Sequence, residues 1–461
     1  MLLLVSLAWL MVVPPALGGE AGTTASSEFR QVETVPPPPA FLYNRPPLPD
    51  QILQDKRQGR YATGIPIIGT DPDNGIWYGA QVQWYDDGRK DSPFFYYAPY
   101  RKRITVNVGR ATEGTQDYWV DYDQPYVADT PWRVRGFGGY LEHKFQRYFG
   151  IGESTLGKLS FPGLPGVSFD RAEDYFNHLS DNSNGTTFAR YNAYDRRQLL
   201  FTGDLERDYL GGVLRPLVGL QISHVDARDY TGKTVNGYVE QETKLHTDFR
   251  NGSIRDFEGG WLNLARVGLT YDTRDYEPDP TSGVLGQLLA EGSMQWMGAD
   301  SRWGHFSATG QYFYPLVLEK TRLILATNAV YSNSFGGVPF FAYPSMNAPG
   351  VYTKEGLGGF RTLRGFYGER FVGPVQIQGN LELRWTVGSF TILNQNLRPM
   401  FVPFLDLGRV FDKSDRFSFD KWQPTGGLAF RLAWNVATIV SFDLGFSREG
   451  YGFYMETGHP F

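Results

Sequence analysis

No cysteine occurs in the 461 residues, so neither a disulfide nor a thiolate metal site is available. That suits an exported bacterial protein. Charge of one sign is not in excess either. The 44 basic residues stand against 49 acidic ones, net −5, which gives no basic stripe for nucleic acid. Past the N-terminus no run of 18 apolar residues appears, and mean hydropathy is −0.35. A helical membrane protein is thereby excluded. No glycine-rich loop follows a strand and opens a helix, so no phosphate cradle is expected. His143, His224, His246, His305 and His459 show no ligand spacing, and neither metal nor cofactor is expected. Asp272 and Asp275 flank a turn, where solvation or turn capping is the expected role.

What the chain does have is aromatic residues and glycine: 28 Tyr, 33 Phe and 54 Gly. High aromatic content with modest hydropathy suits a transmembrane barrel, because only half of each strand faces lipid. An apolar stretch from Leu2 to Val13 is followed by the small residues Ala16 and Gly18. It reads as a secretory signal over 1–19, although no Lys or Arg precedes it. Residues 20–74 contain VPPPPAFLYNRPPLP and the polar QDKRQGR, read as an extended, Pro-rich periplasmic segment. The barrel is expected over 75–461.

Period-two alternation is clear in several stretches. In VQIQGNLELRWTV, Val375, Ile377, Leu381, Leu383, Trp385 and Val387 share one side. Gln376, Gln378, Asn380, Glu382, Arg384 and Thr386 share the other. ITVNVGR, GGLAFRLAW and TIVSFDLGFSR alternate likewise. About sixteen segments are read as antiparallel strands: 75–86, 101–110, 116–125, 132–146, 170–179, 186–208, 212–228, 261–274, 283–297, 304–317, 320–335, 375–388, 398–411, 423–434, 438–448 and 451–461. Short links such as NVAT (435–438) alternate with long ones such as 229–260 and 336–374, the asymmetry of periplasmic turns and outer loops. Tyr451, Phe453, Met455 and the terminal Phe461 are read in one register.

LGGFRTLRGF, GNLELRW, FLDLGRVFD and GGLAFRL, in that order, followed by a final strand ending in Phe, resemble the BamA/TamA superfamily of outer-membrane barrels, the bacterial surface antigens. YDTRDYEPDPTSG, Tyr271 to Gly283, resembles the turn into that family's ninth strand. The resemblance implies an all-β, sixteen-stranded transmembrane barrel whose sixth outer loop folds inward. It also implies that Arg364, with Gly365 and Phe366 following, meets the lumen acids Glu382 and Asp406. Gly358 and Gly359 would supply the tight loop turn. A second RGF, at Arg135 to Phe137, continues an alternating strand and is read as ordinary wall.

The resemblance further implies insertion or translocation of other proteins in a Gram-negative outer membrane. Partners would be membrane lipid and lipopolysaccharide, unfolded clients, and the barrel assembly machinery for the chain's own insertion. The family's device is a seam between the first and last strands, here about 75–86 and 451–461. Gly450, Gly452, Gly458 and Pro460 would either loosen pairing there or fit barrel curvature. Residues 20–74 are too short and too Pro-rich for the family's periplasmic POTRA domains, so a short member is expected. A passive pore or structural barrel is the alternative. A barrel phospholipase is a third reading, from HLSDNSNG, which places His178 and Ser180 at i, i+2 on one strand face.

Overall fold

The computed structural model describes residues 35–461 apart from 72–73, 183–184, 319–320, 345–355, 393–394, 415–416 and 435–437. The signal segment 1–19 and most of the NVAT link lie outside the described residues. Among the described residues sixteen long strands dominate. They are β1 Arg60–Asp71, β2 Gly75–Asp86, β3 Lys102–Ala111, β4 Gln116–Gln124, β5 Trp132–Arg147, β6 Ala193–Arg207, β7 Leu214–Arg228 and β8 Leu264–Asp272. The second half comprises β9 Gly283–Ser293, β10 Trp303–Leu318, β11 Arg322–Gly336, β12 Val375–Thr386, β13 Gln395–Phe411, β14 Gln423–Trp434, β15 Thr438–Ser447 and β16 Gly450–Thr457. Each pairs antiparallel with its chain neighbours, from β1–β2 through to β15–β16.

The side-chain pattern is inverted relative to a water-soluble fold. Tyr78, Val108, Phe201, Val218, Leu220, Ile222, Val267, Leu405, Leu428 and Phe446 are exposed on the outer face. Asn107, Gln198, Arg266, Gln378, Glu382 and Asp443 are buried within. Water would penalise so much apolar surface, and lipid does not. Alternation therefore sorts each strand into a lipid side and a lumen side, and β12 does so as its sequence pattern predicts.

Three expected boundaries are corrected. Residues 170–179 are not a strand: Ala172–Leu179 is an α-helix in the long connection between β5 and β6. Its buried residues Ala172, Tyr175 and Leu179 sit at helical spacing, and Glu173 and Asp174 occupy the first turn, where the helix dipole favours acids. Conversely, the first strand begins at Arg60, inside the segment read as linker, so the barrel does not start at 75. Its sequence, RYATGIPIIGTD, carries Pro66. A proline has no ladder donor and is tolerated in a strand with a free edge. The strand total of sixteen survives because one segment is lost and another gained.

The last strand also ends early. β16 stops at Thr457, and Phe461 does not continue the outer face of Tyr451 and Phe453. Those two rings are exposed to the lipid side, whereas Phe461 packs inside against Phe313, Ile324 and Ala326. Gly458 N donates to Ile439 O, and the chain then turns into the lumen.

Candidate functional site

The connection between β11 and β12 is the sixth on its side, and it dips into the barrel. Gly358, Gly359 and Gly365 all have positive φ, the backbone geometry that the predicted turns require. Gly365 also lies against the wall. A Cβ there would stand 2.8 Å from the carbonyl carbon of Phe446. Phe366 is buried with Leu156, Leu357, Leu363, Phe371 and Val410, a small apolar cluster that carries the loop's weight.

Arg364 is wholly buried, and the two predicted acids meet it. Its Nη1 donates to Glu382 Oε1 at 2.7 Å. Its Nη2 and Nε donate to the two oxygens of Asp406 at 2.7 and 2.9 Å. The planar fork of guanidinium matches a carboxylate in this bidentate way. Asp406 accepts the backbone N–H of Arg364 as well, at 3.2 Å. The register explains the convergence: Asn380 of β12 is opposite Asp406 of β13, so Glu382 stands two residues further along on the same lumen face. Asn380 Nδ2 donates to Asp406 Oδ1 at 2.9 Å and steadies it.

Four participants were not singled out from the sequence. Asp443 of β15 accepts from Arg364 Nη1 at 2.8 Å. Arg431 of β14 grips both oxygens of Glu382, at 2.6 and 2.8 Å. Arg384 of β12 adds a bond to Glu382 Oε2 at 2.9 Å. The ring of Phe404 lies under the guanidinium, 3.4 Å from its carbon to the ring centroid, a cation–π seat. Three arginines and three carboxylates thus neutralise one another across four adjacent strands. Each ion loses hydration on burial, and only this many charge-assisted bonds offset the cost. The signal for them was in the alternation, since all of these side chains occupy lumen positions. Which lumen charges would meet was not written there.

The site extends to the last strand and the C-terminus. Tyr454 of β16 accepts from Gly365 N at 3.0 Å and donates to Phe366 O at 3.1 Å. Ser447 Oγ donates to Gly365 O at 2.8 Å. His459 bridges Arg431 and Asp279 at 2.8 and 3.1 Å, and Arg384 donates to Phe461 O at 3.0 Å. A second loop anchor was also missed: Arg370 is bidentate to Glu449 of the β15–β16 turn, at 2.8 and 2.9 Å.

The remaining sequence candidates separate. His178 lies in the helix and Ser180 caps its end; neither is in a strand. His178 Nδ1 faces Asp174 O and Ser180 Oγ donates to Phe176 O, so the two do not form a nucleophile and base pair. Asp275 accepts from the backbone of Tyr276, Thr281 and Ser282, the capping role expected of it. Asp272 also caps the turn, accepting from Arg274 N at 3.1 Å, but it is buried between Arg215 and Arg274 and not solvated. The second RGF lies within β5 as read. No cluster of metal-ligating side chains occurs among the described residues.

Against known proteins, residues 39–101 match a domain of unknown function, DUF5982, and residues 102–461 match the Omp85 superfamily domain. No curated protein matches the chain in sequence. Among solved structures, BamA from Haemophilus ducreyi lacking POTRA domains 1–3 is 16% identical with a TM-score of 0.47, covering 87% of this chain and 69% of that one. CdiB from Acinetobacter baumannii is 12% identical with a TM-score of 0.45, covering 88% and 60%. CdiB from Escherichia coli is 13% identical with a TM-score of 0.46, covering 87% and 62%. The chain therefore spans about three fifths of the CdiB structures. The Omp85 match takes in more than three quarters of the sequence, β3 through the C-terminus, and with the inverted side-chain pattern it identifies the chain as a member of the Omp85 superfamily, a β-barrel of the Gram-negative outer membrane.

Proposed function

We propose that this barrel inserts or translocates other polypeptides through a lateral seam between β1 and β16, with the sixth outer loop latched in the lumen as a fixed strut. The observation that carries the reading is the state of the two sheet edges. Among the described residues no ladder joins β1 to β16; β1 pairs with β2 and β16 with β15. At the periplasmic end β1 meets the far side of the sheet through side chains alone. Thr63 Oγ1 is 2.9 Å from Thr438 Oγ1, and Ile65 is buried against Trp434 and Val440. Those two residues belong to the lipid-side face of β14 and β15. Side-chain contacts of this kind part at less cost than a continuous ladder, whose buried groups would be left unpaired in lipid.

An unpaired edge can template an incoming strand by β-addition. β16 offers only eight residues, and Pro66 interrupts the donor row of β1. Clients would be unfolded outer-membrane or secreted chains. Lipid and lipopolysaccharide would surround the outer face, and the barrel assembly machinery would insert the chain itself.

The test uses the absence of cysteine. One cysteine is placed in β1 and one in β16, and transport or insertion is measured in cells or liposomes. Loss on oxidation with recovery on reduction supports a seam that must open. Full activity in the cross-linked barrel rules the seam out. The polar lumen favours one rival, a passive pore. Large, steady single-channel currents from the purified protein would support it against the latched loop, which obstructs the lumen.

A further inference from the structure

The DUF5982 match ends where β3 begins, so β1 and β2 fall in one matched unit with the chain that precedes them. That preceding chain, residues 36–57, lies across the periplasmic end. Leu42 is buried among Phe94, Phe95, Tyr96, Tyr97 and Tyr126, from the β2–β3 and β4–β5 links. Asn44 N and Arg45 Nε donate to Gly211 O and Gly212 O of the β6–β7 link, at 3.2 and 2.9 Å. Arg45 also faces Asp272 and Glu277, at 3.6 and 3.9 Å. Leu48 and Ile52 pack on Tyr276 of the β8–β9 link. Asp55 pairs with Arg398 and Asn396 at the start of β13, at 2.5 and 2.7 Å. Four links and a strand on the opposite wall are thus tied by one segment.

Its composition suits that task. Pro36 to Pro39, Pro46, Pro47 and Pro49 hold φ in advance, which lowers the entropy cost of keeping the segment in place, a short helix at Asp50–Asp55 included. The final anchor is Lys56, which is 6% exposed. Its Nζ donates to Phe95 O and Ala98 O at 2.7 and 2.6 Å. Only three residues separate Lys56 from Arg60, where β1 starts, a span of at most about 14 Å. Gly59 N donates to Gly88 O and Asp87 N to Gly59 O, so the start of β1 is tied to the exit of β2 at the same point.

We infer that residues 36–57 are a periplasmic strap that fastens the edge strand β1 to the barrel rim, so that the seam opens only when the strap lets go. The inference rests on the seam reading for its use, but the clamp itself is a separate fact to be measured. Pulling the strap off the rim frees the end of β1 that has no ladder on its outer edge. Holding it leaves β1 with one paired neighbour and a fixed terminus.

The test is amide hydrogen exchange on the full chain in detergent or nanodiscs, comparing the native protein with the Arg45→Ala/Asp55→Ala/Lys56→Met variant. Exchange over residues 60–71 is expected to quicken at least tenfold while β10 to β12, which the strap does not touch, stay as slow as in the native chain. Unchanged protection of β1 overturns the inference. So does a uniform quickening of every strand, which would make the segment ordinary core. Should that variant fail to assemble, Asp55→Cys/Asn396→Cys replaces it. Native-like exchange of β1 when oxidised and faster exchange when reduced support the strap, and equal exchange in both states overturns it. Client passage is not read here, so failure of the seam reading leaves the result distinguishable.

Discussion

The main chain of Arg364 lies directly on Gly445 of β15: a Cβ built on that glycine would stand 2.6 Å from the carbonyl carbon of Arg364 and 2.7 Å from its Cβ. Backbone cannot yield as a flexible side chain does. Gly445→Ala is therefore expected to push the loop off the wall without altering any charge, at about 1–3 kcal/mol of overpacking. Gly286→Ala is the control, because nothing lies within 4 Å of a Cβ there. Thermal unfolding and heat-modifiable migration should move for the first variant and stay put for the second. Equal behaviour of the two would mean that the loop does not need this contact.

Arg364→Ala leaves Asp406 and Asp443 short of their shared cation. Removing one partner of a buried ion pair costs about 3–5 kcal/mol, less where lumen water relieves the stranded charge. Arg364→Lys should recover little, since one ammonium cannot fork across Asp406 while also reaching Glu382 and Asp443. The melting temperatures of both variants should fall together. A lysine variant that melts like the native barrel would show that charge alone, without geometry, suffices.

Tyr454→Phe keeps the ring and removes two hydrogen bonds that tie β16 to the loop at Gly365 and Phe366. A loss of about 1 kcal/mol per bond is expected. The amide of Gly365 should exchange faster, with Arg364 still paired. A Gly365 amide as slow as before would mean that this strand and the loop are not coupled through the hydroxyl.

Asp208, in the link between β6 and β7, is buried with one carboxylate oxygen unpartnered. Burial pushes its carboxyl up to about 6, with Arg215 opposing the shift in part. A carboxyl raised on folding supports the fold fully only below its unfolded value and loses that support as pH rises through 6. Asp208→Asn stays neutral throughout. It should therefore stabilise the barrel by about 2 kcal/mol at pH 7.5, with the gain shrinking toward pH 4. Thermal melts across that range check the sign, and a gain that grows on acidification would contradict it.

Alternation made most of the barrel legible, because a strand between lipid and a wet lumen must change polarity at every residue. It failed at β1, where Gly64, Pro66 and Gly69 break the pattern in a strand that has only one ladder to satisfy. It failed again at 170–179, where Tyr175 and Phe176 beside polar residues look like a strand but bury a helical stripe. Arg364, Glu382 and Asp406 could be named through the family motifs. Asp443, Arg431 and Arg384 could only be called lumen charges.

By itself the sequence determined which way most of the long strands face, since residues two apart in a strand share a side whatever their neighbours do. Only the tertiary structure decided which lumen charges meet, because register between strands sets the partners. It also decided that the Pro-rich segment is fastened to the periplasmic rim and that Phe461 turns inward. Both depend on contacts between residues far apart in the chain, which no local pattern encodes.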